Sequence, residues 1–187
     1  VSSNQTQEHH FFLFTYFFEG VSMRTIARSI TLIAAMLICA ATVHAQDLEV
    51  QANLQAAIFK KVLGYVKIPS PKITIVHGAS GARAKDELMT QFKNSGLECD
   101  AVEEANAGKA SGNVVYLVPG VSAAAAKKVE KKFTLTSSKD LVSDGLACMA
   151  IVNAGGKPQL LANMSSIGAA GVEVDPQLFR IAQQIRK

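Results

Sequence analysis

The chain has 187 residues, with 19 Lys and Arg against 15 Asp and Glu and a net charge of +4. That surplus is too small and too scattered for nucleic acid, which calls for a dense basic stripe. The tightest basic group, Lys127-Lys128 with Lys131-Lys132, is broken by Glu130; it reads as a solvated helix face, with docking to an acidic partner or to phospholipid as its other use.

Val1 to Ser22 contain the cluster Phe11 to Phe18, too short to span a bilayer, and precede a plausible initiator at Met23. They read as a leader called upstream of the true start. Met23 to Ala45 has the three parts of a secretory signal: Arg24 and Arg28, the apolar run Ile30 to Ala41, and Val43-His44-Ala45 before polar Gln46. Its core of about a dozen residues falls short of the roughly 20 a spanning helix needs, so cleavage is expected rather than anchoring. Residues 46–187 then form a single domain, large enough for a real core, in the periplasm.

Leu54, Ala57, Ile58, Val62 and Tyr65 recur at helical spacing between Val50 and Tyr65, and Pro69 and Pro71 end the pattern. Lys72 to His77 is a β-branched strand opening into Gly78-Ala79-Ser80-Gly81, and Ala82 to Asn94 is a helix with Leu88, Met89 and Phe92 on one face. Strands are predicted at Leu97 to Glu103, Val114 to Val118 and Phe133 to Thr136, with a helix from Ala123 to Lys132 capped by Ser122. Leu146 to Val152 and Gln159 to Ala162, joined through Asn153-Ala154-Gly155-Gly156-Lys157, read as an antiparallel hairpin. Met164 to Ala170 and Pro176 to Ile185 read as closing helices. The alternation specifies a three-layer Rossmann-like α/β fold, mostly parallel, with a C-terminal antiparallel hairpin at the sheet edge.

Catalytic motifs are missing from the pattern. After export His77 is the only histidine, and Ser122, Ser143 and Ser165 lack a nucleophile elbow. Gly78-Ala79-Ser80-Gly81 fits neither the dinucleotide fingerprint nor the Walker pattern, and Asp140 with Asp144 reads as a capped, solvated connection. No metal site or cofactor is announced, and a non-enzymatic protein is expected. Cys39 leaves with the signal; Cys99 and Cys148 enter an oxidising compartment as either one disulfide or two buried thiols. His77, Ser80 and Ser122 are candidates to contact a small ligand at the strand ends. Phe59, Val62, Leu63 and Tyr65 make the first helix apolar over more than a narrow stripe, as core or as a dimer or partner surface.

Tyr65-Val66-Lys67-Ile68-Pro69, Val115-Tyr116-Leu117-Val118, Phe133 to Ser138, the passage Gly145 to Leu161, Asn163 and Pro176 to Ala182 together resemble the YfiR-like family of exported α/β domains. The similarity covers most of residues 50–185. It implies a small periplasmic protein, in the best-understood members a dimer with internal disulfides, that binds an inner-membrane diguanylate cyclase from the periplasmic side and holds it inactive. This chain has Ile68-Pro69 where the family tends to have an aromatic-proline pair, Asp144-Gly145 where it tends to have two glycines, and cysteines for at most one disulfide. The function expected is regulation of a membrane signalling partner, a diguanylate cyclase or receptor; the alternative is a periplasmic small-ligand carrier or sensor.

Overall fold

Strand direction and crossover handedness place every helix of this domain. The computed structural model describes residues 50–185; the leader and the signal pattern lie outside them. Among the described residues, seven strands form one sheet in the order β2-β1-β3-β4-β5-β6-β7. They are β1 (Lys72–His77), β2 (Glu98–Glu103), β3 (Val114–Leu117), β4 (Phe133–Thr136), β5 (Met149–Ala154), β6 (Lys157–Asn163) and β7 (Ala182–Ile185). The first five are parallel, β6 runs against β5, and β7 runs with β6. The expected three-layer α/β fold and its hairpin are therefore present.

From β1 the chain steps outward to β2, whereas β3, β4 and β5 follow one another in the opposite direction. Right-handed crossovers therefore put the helix after β1 on one face and those after β3 and β4 on the other. These are α2 (Ala82–Asn94), α3 (Ala123–Lys127) and α4 (Lys139–Ser143); α1 (Ala52–Leu63) packs with α2, and α5 (Met164–Ala169) follows β6. Met149 to Val152 are all buried, as befits a strand covered on both sides.

Tyr116 sits at the centre of the α1/α2 face. Its ring meets Phe59 of α1 and Phe92 of α2 edge-on, each at 5.8 Å. Its hydroxyl donates to Gln55 Oε1 at 2.6 Å, and Gln55 Nε2 donates to the Val50 carbonyl at 2.7 Å. Gln55 is thus a polar residue in the buried face of α1, which consists of Ala52, Gln55, Ala56, Phe59, Val62 and Leu63. The stripe expected from Leu54 and Ala57 is rotated away from the core, leaving Leu54 exposed. Phe59, Val62 and Leu63 are consumed inside the domain, and Tyr65 is half-buried against it.

Gly155 and Gly156 both have positive φ, the conformation a two-residue type I′ hairpin requires. Asn153 Oδ1 accepts from Gly156 N at 2.8 Å. Beyond the hairpin, Asn163 Nδ2 donates to the Val142 carbonyl at 2.7 Å and its Oδ1 caps α5 at Ser166 N, which ties the end of β6 to α4. Tyr116 and Asn163 thus tie separate elements of the fold together.

The expectation of a disulfide is overturned: Cys99 and Cys148 are free and buried. Cys99 lies on the edge strand β2, and Cys148 precedes β5 with its amide bonded to the Thr134 carbonyl. With β1, β3 and β4 between them, four interstrand steps separate the two by roughly 19 Å, against an upper limit of about 7 Å between bridged Cα atoms. Burial raises the pKa of both thiols, so each behaves as a small apolar core residue. Native protein should react slowly with a thiol reagent and take up two equivalents at these positions only in denaturant, with a melting temperature indifferent to reductant. Rapid labelling of the native protein, or a reductant-sensitive melt, would count against this assignment.

On the same edge strand, β2, Asp100 accepts from Ser111 Oγ at 2.8 Å and lies 3.2 Å from Lys72 Nζ. Burial works to raise the Asp100 pKa, but hydrogen bonds from Thr74, Ser111 and Lys72, with the Lys72 charge, outweigh it and hold the carboxyl below its usual value. The Asp100 hydrogen bond and then its charge raise Lys72. A carboxyl depressed in the fold stabilises above its unfolded pKa of about 3.9 and loses that contribution as pH falls through the folded value. A raised amine stabilises below about 10.4 and loses its contribution as pH rises through the folded value. The wild type should therefore lose urea resistance below about pH 4 more steeply than Asp100→Asn. Superimposable acid limbs would contradict the pairing.

Candidate functional site

In open α/β sheets, ligands bind beyond the carboxyl ends of the strands, at the point where strand order reverses. Here that point lies between β1 and β3. His77 ends β1, Gly78 leads into a 3₁₀ turn over Ala79–Gly81, and Gly81 packs so closely on β3 that a Cβ there would lie 2.8 Å from Val118 Cγ1. β3 is followed by Val118-Pro119-Gly120, and Ser122 caps α3 by accepting from Ala125 N.

The crevice enclosed there measures about 420 Å³ and is lined by His77 to Ala79, Glu103 to Ala105, Ser122, Ala124, Ala125 and Lys128. His77 and Ser122 are thus brought together as the sequence reading supposed, while Ser80 is exposed and outside the lining. Several of the crevice's polar groups are already engaged. Glu104 Oε1 accepts from Ser122 N at 3.2 Å, Lys128 Nζ reaches the Ala105 carbonyl at 3.5 Å, and His77 Nδ1 lies 3.1 Å from the Gly78 carbonyl.

A second cleft, about 820 Å³, opens at the carboxyl ends of β4 and β5. Its floor is Val152, Leu161 and Ile185, on one face of the hairpin and β7; the first two are buried and the third half-buried. Its walls are Pro119, Ser137 to Asp140, Asn153, Ala154, Gln159 and Gln183. Gln159 Nε2 donates to Gln183 Oε1 at 2.8 Å across β6 and β7, fixing both amides and leaving an acceptor on one and a donor group on the other. Ser138 caps α4 by accepting from Leu141 N, so Lys139 and Asp140 stand in the first helical turn at the rim, both exposed.

Ser137 links this cleft to the core, its hydroxyl lying 3.2 Å from that of Tyr116. Burial pushes the Tyr116 pKa up, so the phenol stays neutral and offers a hydrogen bond rather than a base. Among the described residues, no group of three or more His, Cys, Asp or Glu side chains is placed to hold a metal ion. No described helix is long and apolar enough to cross a membrane.

Pro119 belongs to the larger cleft and His77 to the smaller, and the larger one depends on β7, which the pattern presented as a helix. Lys139 to Ser143 is a helical turn rather than a connection. The capping serine at Ser138, followed by Asp140 in the first turn, was the available sign.

No family model matches the chain, and no curated protein matches it. Solved structures are similar to it in fold, among them the following two. A conserved domain protein from Vibrio cholerae O1 biovar El Tor superposes with a TM-score of 0.57 at 13% identity, over 73% of this chain and 60% of that one. The ABC domain of a Streptococcus pneumoniae protein, solved in complex with L-Trp, superposes with a TM-score of 0.55 at 12% identity, over 72% of this chain and 60% of its own. The chain thus spans 60% of the length of each, and what it shares with them is the α/β fold.

Proposed function

We propose that this domain binds a small ligand in the larger cleft, as a carrier or sensor. The observation that carries the reading is the cleft itself: about 820 Å³ at the carboxyl ends of β4 and β5, with an apolar floor and a polar rim. That volume and that mixture are what small-molecule sites require. The fold likeness to a domain solved with L-Trp supports a ligand of that scale. The signal pattern Met23 to Ala45 supports a role outside the cytoplasm. Screening the purified protein by thermal shift against small polar and amphiphilic metabolites should yield a stabilising compound. Ala154→Trp, an exposed substitution at the cleft wall, should abolish that stabilisation without altering the ligand-free melt. A library without hits, or hits that survive Ala154→Trp, would sink the reading.

A second reading, repression of an inner-membrane diguanylate cyclase, is supported by the segments that resemble the YfiR-like family. Phe59, Val62 and Leu63 are spent on the core, so a partner would have to dock on another surface. A pull-down from source-cell membranes that retains a diguanylate cyclase supports it, and one that retains none removes it.

A further inference from the structure

We infer that the larger cleft takes a small zwitterion with an apolar substituent, the chemistry of a free apolar α-amino acid, with Lys139 receiving its carboxylate and Asp140 its ammonium. This rests on the ligand-binding reading and adds the class of ligand. Lys139 and Asp140 are adjacent and opposite in charge, yet neither forms an ion pair with the other or with any other described residue. Many exposed charges elsewhere are unpaired too, but among the described residues these are the two charged side chains that line the cleft. Both unpaired charges stand over one apolar floor of Val152, Leu161 and Ile185.

One cation and one anion at the same rim discriminate by charge. An anion meets Asp140 as well as Lys139, and a cation the reverse, whereas a zwitterion satisfies both. The floor supplies burial for an aliphatic or aromatic tail. Among the described residues no aromatic side chain lines the cleft, so they offer no stacking platform for a planar base. The paired amides of Gln159 and Gln183 keep the wall neutral.

Titration calorimetry with L-leucine, L-methionine and L-phenylalanine, each beside its N-acetyl and carboxamide derivatives, tests the assignment. The free amino acids should bind, and masking either charge should weaken binding at least about tenfold, the weight of a hydrogen bond to a charged group. Lys139→Gln should remove the penalty for the carboxamide, and Asp140→Asn that for the N-acetyl form. Both positions are exposed, so neither variant should alter the ligand-free melt. Masked and free forms binding alike would overturn the inference, as would variants that weaken every compound equally. If the amino acids are silent while a library compound binds and is blocked by Ala154→Trp, the inference fails and the ligand-binding reading stands. If nothing binds, both fail.

Discussion

Phe59→Ala should lower the unfolding free energy by about 3–5 kcal/mol, the usual cost of emptying a fully buried phenylalanine site. Phe59 has no exposed surface, and its ring packs on Tyr116 at an interplanar angle of 74°. Tyr116 cannot move in to fill the space, because its hydroxyl is tethered to Gln55 and its backbone is held by β1 on one side and β4 on the other. Urea unfolding followed by circular dichroism measures the loss, and sedimentation checks the assembly state. A loss below about 1 kcal/mol together with a change in assembly state would make Phe59 an interface residue and contradict its place in the core.

Gly112→Ala should cost about 3 kcal/mol, the upper part of the range for overpacking, although the added group is one methyl. A Cβ at Gly112 would run into the Lys72 carbonyl oxygen and lie 2.9 Å from both the amide and the hydroxyl of Thr74. Those atoms belong to β1, which is hydrogen-bonded to β2 and β3 and cannot retreat. The loop cannot retreat easily either. Gly112 N donates to Thr74 Oγ1 at 2.8 Å, Asn113 Oδ1 accepts from Lys72 N at 2.9 Å, and Lys132 Nζ clamps the Ala110 and Gly112 carbonyls. Gly108→Ala is the control, since nothing lies within 4 Å of a Cβ there; it should be neutral or stabilise by up to about 1 kcal/mol. Equal melting curves for the two variants would show that the loop does not press on the strand as described.

Much of the fold was legible because it rests on signals carried by neighbouring residues. Lys72 to His77 and Phe133 to Thr136 are short β-branched or aromatic runs between turn residues, and both are strands with those bounds. Paired glycines after Asn153-Ala154 announce a hairpin by backbone chemistry alone. The failures arise where a local signal has two meanings. Asp175 before Pro176 looks like the start of an α-helix, and its side chain does accept from Gln177 N, but the turn it starts is a 3₁₀ turn that passes into β7. A four-residue edge strand with two exposed glutamines carries no periodicity of its own. Gln55 hid the buried face of α1 because a polar residue was counted as exposed, whereas Tyr116 supplies its partner from far along the chain. The unbridged cysteines have the same cause, since their separation is set by strand order.

The candidate site was half legible. Strand ends near glycines pointed to His77 and Ser122, which do share a crevice. The larger cleft needs Gln183 and Ile185 beside Gln159 and Leu161, a juxtaposition that follows only from the register of β6 with β7.

The most direct test of the account is amide NMR of the protein titrated with a compound that raises its melting temperature. Shifts should concentrate on Ser137 to Asp140, Val152 to Ala154 and Gln183 to Ile185, and be lost in Ala154→Trp. Shifts centred instead on His77, Glu103 and Ser122 would move the site to the β1/β3 crevice and contradict it.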